Sequence, residues 1–202
     1  MSLLTDPILD FPRAQGYKRL QGMSTRSDED LLRAAGIGDD RSFRILVERY
    51  SGELYGYFRR RIGDEAAEDL LQETFLRLHR AAARFVPQST FRTFLYTIAR
   101  NLALNHLRDR RPAAALDTGP SPAARGPSPS ETIESAERAT SVRRAVEGLS
   151  DALRDVVLLR HYQGLSFKEI AAVLEIPEGT AMRRMADALV RLRENLHRTE
   201  GF

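Results

Sequence analysis

The sequence contains no cysteine among its 202 residues. This excludes a disulfide framework, a thiolate metal site and a cysteine nucleophile. Long apolar runs are also missing, since the longest extends only from Ile170 to Leu174, whereas a membrane-spanning helix needs about 18 residues. Asp6 and Pro7 interrupt the apolar residues that a signal peptide would require. We therefore expect no membrane insertion and a cytoplasmic location.

Lysine is nearly absent, because 29 of the 31 basic residues are arginine. The planar guanidinium group suits phosphates and base edges, but a GC-rich genome also enriches arginine, so composition alone does not decide for nucleic acid. The formal net charge is only +3. The positions of the charges are therefore more informative than their sum.

Residues typical of catalytic or metal sites are few and scattered. The four histidines (His79, His106, His161, His197) do not have the spacing of metal ligands. Arg41 stands where a nucleotide-binding loop that begins at Gly36 would need its third glycine. We expect no catalytic residue, no metal and no cofactor, and the class of enzymes is the least favoured.

Apolar residues recur at helical spacing in two separate stretches, and no strand-like alternation occurs. Between them, residues 112–131 contain five of the nine prolines together with Gly, Ser and Ala, a composition typical of linkers. We therefore predict an all-α fold, with small helical domains at 24–111 and 132–199 joined by a flexible linker. Residues 1–23 lack sustained periodicity and are expected to form a disordered extension, with Met1 or Met23 as the true start.

Helix boundaries are marked in several places. Ser27, followed three residues later by Asp30, resembles an N-cap. Gly63 is expected to end a long helix that contains Phe43 and Phe58, and Asp64 to cap the next one. The first domain is thus expected to consist of successive helices that share an apolar core.

The second domain contains a helix-turn-helix pattern. Ser166 and Glu169 have the spacing of a capping box, and Pro177 stands near the first position of the following helix. In that helix the apolar residues share one face, and Arg183 lies opposite them. Arg183 is placed to reach the major groove, with Thr180 and Arg184 on phosphates. The alternative is a helical hairpin with solvated charges.

The beginning of one helix in the first domain is rich in acidic residues and has no basic residue among them. The stretch from Asp64 to Glu73 contains five carboxylates and no basic residue. Asp69, Gln72 and Glu73 form a polar edge beside an apolar stripe, which suits docking against a basic protein. The alternative is an ordinary solvated helix face.

The helix that follows, residues 91–111, has the opposite character. Five arginines outweigh one aspartate, and aromatic residues interleave with them. Asn101 and Asn105 lie one turn apart on one side, and asparagine amides can bind adenine edges while aromatic rings stack on unpaired bases. Arg100 and Arg108 are expected to neutralise phosphates. The alternative is that the aromatic residues belong to the core, and we expect Phe91, Phe94 and Leu95 to do so.

Three local patterns in this order resemble a bacterial sigma factor of the extracytoplasmic-function group, which keeps only sigma regions 2 and 4. They are Asp69 to Phe75, Phe94 to Asn101, and Gly164 to Thr180. The resemblance implies that residues 24–111 form the region 2 bundle and residues 132–199 the region 4 helix-turn-helix. It also implies a transcription initiation factor that binds core RNA polymerase, through the beta-prime coiled coil and the beta subunit, and promoter DNA.

The same resemblance assigns roles by position. Asp69, Gln72 and Glu73 would dock on the beta-prime coiled coil. The loop from Phe85 and the helix after it would bind the non-template strand of the minus-10 element, with Asn101 and Asn105 at the positions that receive a flipped base. An anti-sigma factor is expected as a regulator.

The chain departs from the family pattern in its last helix. Met182, Asp187 and Leu189 stand where many relatives carry basic residues, which predicts weak or unusual minus-35 binding by Thr180 and Arg183. Two rivals stay open: a helix-turn-helix regulator that works without polymerase, and a sigma-like decoy that only binds an anti-sigma factor.

Overall fold

The computed structural model describes residues 26–86, 89–110 and 133–199, and within these ranges every regular element is helical. The all-α prediction is therefore confirmed. The helices are α1 (Asp28–Gly36), α2 (Asp40–Ile62), α3 (Ala67–Ala82), α4 (Phe91–Asp109), α5 (Ile133–Glu147), α6 (Asp151–Val157), α7 (Phe167–Leu174) and α8 (Glu178–Thr199), and a π-helical turn (Leu158–Tyr162) continues α6. The predicted extension at 1–23 and the predicted linker at 112–131 lie outside the described residues.

Local sequence signals set most of the helix ends in the first half. Ser27 caps α1, since its hydroxyl accepts a hydrogen bond from the Asp30 amide at 3.1 Å. Gly63 ends α2 with a φ of 92°, a conformation that favours glycine. The predicted cap at Asp64 is wrong: α3 begins after Ala66 without a side-chain cap. Asp64 lies two residues before the N-cap position, and its carboxylate accepts a hydrogen bond from Arg59 at the end of α2.

Helices α1 to α4 pack around one core of large side chains. Tyr57, Phe58 and Leu95 are fully buried at its centre, and the Tyr57 ring meets the Tyr96 ring edge-on with centroids 5.7 Å apart. At Gly36 the backbone of α1 comes so close to the end of α3 that an added Cβ would lie 2.4 Å from a carbonyl oxygen of α3. This contact helps to fix the position of α3 relative to α1.

The second half contains the predicted helix-turn-helix. Ser166 and Glu169 form the expected capping box at the start of α7. The helix ends at Glu175, whose φ of 54° lies in the left-handed region. In α8, Ala181, Ala188 and Leu192 are buried as predicted, which leaves the opposite side of this helix exposed.

The two halves pack against each other in this structure. Helix α7 contacts α4, and the π-helical turn contacts α2. Buried side chains from both halves form one continuous cluster. This packing divides the surface of α4 into an exposed side and a covered side.

Candidate partner-docking and nucleic-acid surfaces

The first candidate surface is the outer side of α3. Asp69 and Gln72 are exposed there, and Leu76 follows one turn later with 51% of its surface exposed. We call these three residues the α3 face, since their spacing places them on one side of the helix. Glu73 lies beside it and accepts a hydrogen bond from Arg77 at 2.7 Å. The structure thus brings the three predicted docking residues together.

Leu76 is a member of this surface that the sequence interpretation missed. The buried stripe of α3 runs through Phe75 and Leu78, and Leu76 falls outside it by helical spacing. That misplacement is the signal that could have identified Leu76. Single exposed apolar side chains are common on protein surfaces, so Leu76 is a candidate only because it lies beside Asp69 and Gln72 on the α3 face.

The second candidate surface is one side of α4, which we call the open face. Asn101, Asn105 and Arg108 are exposed along it, in line with the half-buried Phe94. The Phe85 ring packs against the Phe94 ring with centroids 5.3 Å apart, so this aromatic pair stands at one end of the face. From Phe94 to Arg108 the face extends for about 21 Å. It offers rings for stacking, amides for base edges and a cation for phosphate.

Arg100 does not lie on the open face. Successive residues of an α-helix differ by about 100° in direction, and Arg100 points toward the second half of the chain, with its Nε 3.8 Å from an Asp155 carboxylate oxygen. Arg92 and the fully buried Tyr96 lie on the same covered side. Of the five predicted minus-10 residues, the structure therefore brings Phe85, Asn101, Asn105 and Arg108 together and separates Arg100 from them.

The covered side is held by a buried ion pair between the two halves. Arg61 of α2 donates from Nε to Asp155 of α6 at 2.6 Å, and its Nη1 donates to Asp151 at 3.0 Å. The side chains of Arg61 and Asp155 are only 1% and 4% exposed. Burial by itself lowers the pKa of Arg61, but the two carboxylates outweigh it, so that pKa lies above its ordinary value.

Further hydrogen bonds extend the same interface. The Tyr96 hydroxyl donates to the Gln163 side chain at 2.6 Å, and Arg92 donates to the backbone carbonyl of Gln163. At the start of α4 the Thr90 hydroxyl donates to Glu169 of α7 at 2.9 Å. Burial raises the pKa of Glu169, but its hydrogen bonds from Ser166 and Thr90 outweigh this effect and hold the pKa below the usual value. Sequence reasoning missed this whole interface.

The third candidate surface is the exposed side of α8. Arg183 is exposed as predicted, and Thr180 and Arg184 are half-buried beside it. Asp187 is exposed one turn further on, on the same side as Arg183. Its negative charge partly cancels the two arginines toward a polyanion. Met182 adds an apolar side chain, 51% exposed, to the same end of the helix.

In the part of the chain that the structure describes, no group of three or more acidic or histidine side chains is placed to hold a metal ion. Over the same residues, no helix is both long and apolar enough to span a bilayer.

A four-helix bundle with an exposed face on α3 and an asparagine-bearing face on α4, followed by a helix-turn-helix, is the architecture of a modular DNA-binding factor. The profile for Sigma-70 region 2 matches residues 46–113 and the profile for Sigma-70, region 4 matches residues 139–192. The chain belongs to the sigma-70 family, in the extracytoplasmic-function group, whose members are non-catalytic transcription initiation factors.

Individual relatives agree with this assignment. The chain is 34% identical over 174 residues to the RNA polymerase sigma-H factor of Pseudomonas aeruginosa, covering 81% of this chain and 90% of the relative. It is 33% identical over 170 residues to the ECF RNA polymerase sigma-E factor of Escherichia coli K12, covering 79% of this chain and 88% of the relative.

Two solved structures are similar in fold. The structure of CnrH in complex with the cytosolic domain of CnrY matches with a TM-score of 0.65 and 26% identity, covering 85% of this chain and 98% of that one. The sigma factor RpoE of Bartonella quintana, solved with the anti-sigma factor NepR, matches with a TM-score of 0.66 and 22% identity, covering 78% and 98%.

Proposed function

We propose that this protein binds core RNA polymerase, directs it to promoters by reading a minus-35 element with α8, and opens the minus-10 element by capturing bases on the open face of α4. The observation that carries the proposal is the separation of three exposed surfaces with different chemistry on one chain. Residues 24–111 act as region 2 and residues 132–199 as region 4. The function needs no catalytic residue, because stacking and hydrogen bonding to an extruded base offset the cost of unstacking it.

The α3 face supports the polymerase contact. Its carboxylate and amide would meet basic groups of the beta-prime coiled coil, and Leu76 would supply the apolar centre of the interface. Since the α3 face and the open face of α4 lie on different helices and share no residue, we infer that polymerase and DNA can be bound at the same time. The rival helix-turn-helix regulator, which works without polymerase, leaves this surface unused.

Substitution of Leu76 tests the docking surface. Leu76→Ala should weaken binding to core RNA polymerase about tenfold or more, as expected for a central interface residue. Ile37→Ala is the matched control, because Ile37 is also a large apolar side chain and is 89% exposed on a different part of the bundle. Equal binding by both variants in a titration with core polymerase would contradict the docking assignment.

The open face supports base capture, with Asn101 as the central residue. Asn101→Ala should cost about 1 to 3 kcal/mol for the preferred base and flatten the preference at that position. Arg108→Ala should instead weaken binding to all DNA sequences alike. It should also reduce the salt dependence of the binding constant by about one counterion. Transcription with core polymerase from a promoter library randomised at both elements measures the preference. Unchanged base preference in Asn101→Ala would refute this role.

Regulation by a second protein belongs to the same proposal. Because CnrH, which shares this fold at 26% identity, was solved in complex with the cytosolic domain of CnrY, we infer an anti-sigma factor as a partner here. The expected location is the cytoplasm, where polymerase and promoter DNA are found.

A further inference from the structure

One buried carboxylate in the interface is surrounded by more hydrogen-bond donors than it uses. Asp155 of α6 lies between Arg61 of α2, at 2.6 Å, and Arg100 of α4, at 3.8 Å. Tyr57 of α2 is fully buried beside them. Burial raises the pKa of the Tyr57 hydroxyl, and the charge of Asp155 raises it further, so this group remains a neutral donor. We call Tyr57, Arg61 and Arg100 the donor cluster.

Each member of the donor cluster has an unused donor. Tyr57 Oη, Arg61 Nη2 and Arg100 Nε are buried and have no hydrogen-bond partner among the described residues. Buried polar groups are normally satisfied, so the cluster supplies more donors than the Asp155 carboxylate accepts from it. A phosphate group, with more acceptor oxygens than a carboxylate, suits such a cluster better.

The donors and the carboxylates of this cluster come from different regions of the chain. All three donors belong to α2 and α4 of region 2, whereas both carboxylates that reach Arg61, those of Asp151 and Asp155, belong to α6 of region 4. When region 4 separates from region 2, the arginines keep their charge and lose their counter-charge. Arg100 is also the neighbour of Asn101 in α4, one residue around the helix from the open face.

From this geometry we propose that the donor cluster is a binding site for a backbone phosphate of the captured DNA strand, and that Asp155 occupies the site while region 4 is docked. The docked form is then unable to hold the strand at full strength, since one anion must leave before the other can bind. This inference rests on the proposed strand capture and extends it. Asp155 thereby acts as the competing anion, a role separate from the three exposed surfaces described above.

The test removes the negative charge of the Asp155 side chain and keeps the shape of that side chain. The full chain carrying Asp155→Asn is titrated with short oligothymidylate, because a phosphate contact does not depend on base sequence. If the form with region 4 separated from region 2 is normally a minor state, the substitution should increase its population and tighten oligonucleotide binding by about tenfold to a hundredfold. The slope of the logarithm of the binding constant against the logarithm of the salt concentration should become steeper by about 1.4, because each of the two freed arginines adds about 0.7 through one phosphate contact on a single strand. Glu48→Gln, an equal charge change at an exposed position of α2, should do neither.

A second substitution separates the phosphate site from mere opening. In the Asp155→Asn chain, adding Arg61→Gln should remove about half of the gain in salt slope, although region 4 stays released. Release itself is followed by energy transfer between dyes on Arg44→Cys and Glu178→Cys, which is straightforward in a chain without native cysteine. Retention of the full slope in the double variant would overturn the phosphate site.

The remaining outcomes are also decisive. If wild type binds the oligonucleotide and Asp155→Asn binds it equally with the same salt slope, the competition is refuted while strand capture survives. If no variant binds even at low salt, strand capture on α4 fails together with this inference. The Asn101→Ala measurement of base preference does not depend on Asp155. It therefore shows whether strand capture on α4 or the competition by Asp155 is wrong.

Discussion

The same substitution, glycine to alanine, should have opposite effects at two helical positions of this protein. Gly36 is the last residue of α1, and a Cβ built there would lie 2.4 Å from the carbonyl oxygen of Ala82 and 2.6 Å from its carbonyl carbon. These are backbone atoms, which cannot move aside as a flexible side chain would. Gly179, in the first turn of α8, has no atom within 4 Å of the corresponding Cβ position apart from its chain neighbours and the backbone of its own helix.

The magnitudes follow from these contacts. Alanine generally stabilises a helix by about 1 kcal/mol relative to glycine, and this gain should appear at Gly179, where Gly179→Ala raises the free energy of unfolding by about 0.5 to 1 kcal/mol. At Gly36 the added methyl group forces α1 and α3 apart. Overpacking of this kind costs about 1 to 3 kcal/mol, so Gly36→Ala should be destabilising overall.

Urea unfolding of the full chain, followed by circular dichroism, measures both variants against wild type. Gly36→Ala should unfold at lower urea and should also bind core polymerase less tightly, because α3 carries the docking surface. A Gly36→Ala chain as stable as wild type would refute the close approach of α1 and α3. If Gly179→Ala were destabilising, the open space at the start of α8 would be wrong.

Three further predictions concern single helices. Leu78→Ala should lower the free energy of unfolding by about 2 to 5 kcal/mol in urea, because Leu78 is fully buried, whereas Leu76→Ala on the opposite side of α3 should change it by no more than about 0.5 kcal/mol. Ser166→Ala should cost about 1 kcal/mol by loss of the α7 cap, and Lys168→Ala, in the same turn and exposed, should be nearly neutral in the same assay. Asp187→Arg should tighten binding to duplex promoter DNA and steepen its salt slope by about 0.9; an unchanged slope would show that this side of α8 does not face phosphate.

The sequence by itself determined the local features. Capping at Ser27 and at Ser166 is decided by residues within one turn, and the helical spacing of apolar residues predicted α2, α3, α4 and α8. The same spacing placed Asn101 beside Asn105, because residues four apart on a helix always share a side. These results need no knowledge of what lies across the helix.

Only the tertiary structure decided which helix sides remain exposed. Nothing near Arg100 or Arg61 in sequence indicates that both approach Asp155, since Arg61 and Asp155 are separated by 94 positions. The predicted cap at Asp64 is wrong for a local reason, since Arg59 donates to its carboxylate from only five positions away. Helical spacing already places Leu76 outside the apolar stripe of α3, but only the structure shows that no other described helix covers it. Local propensity depends on neighbours along the chain, whereas burial and ion pairing depend on which helices meet, and that is set by packing of the whole core.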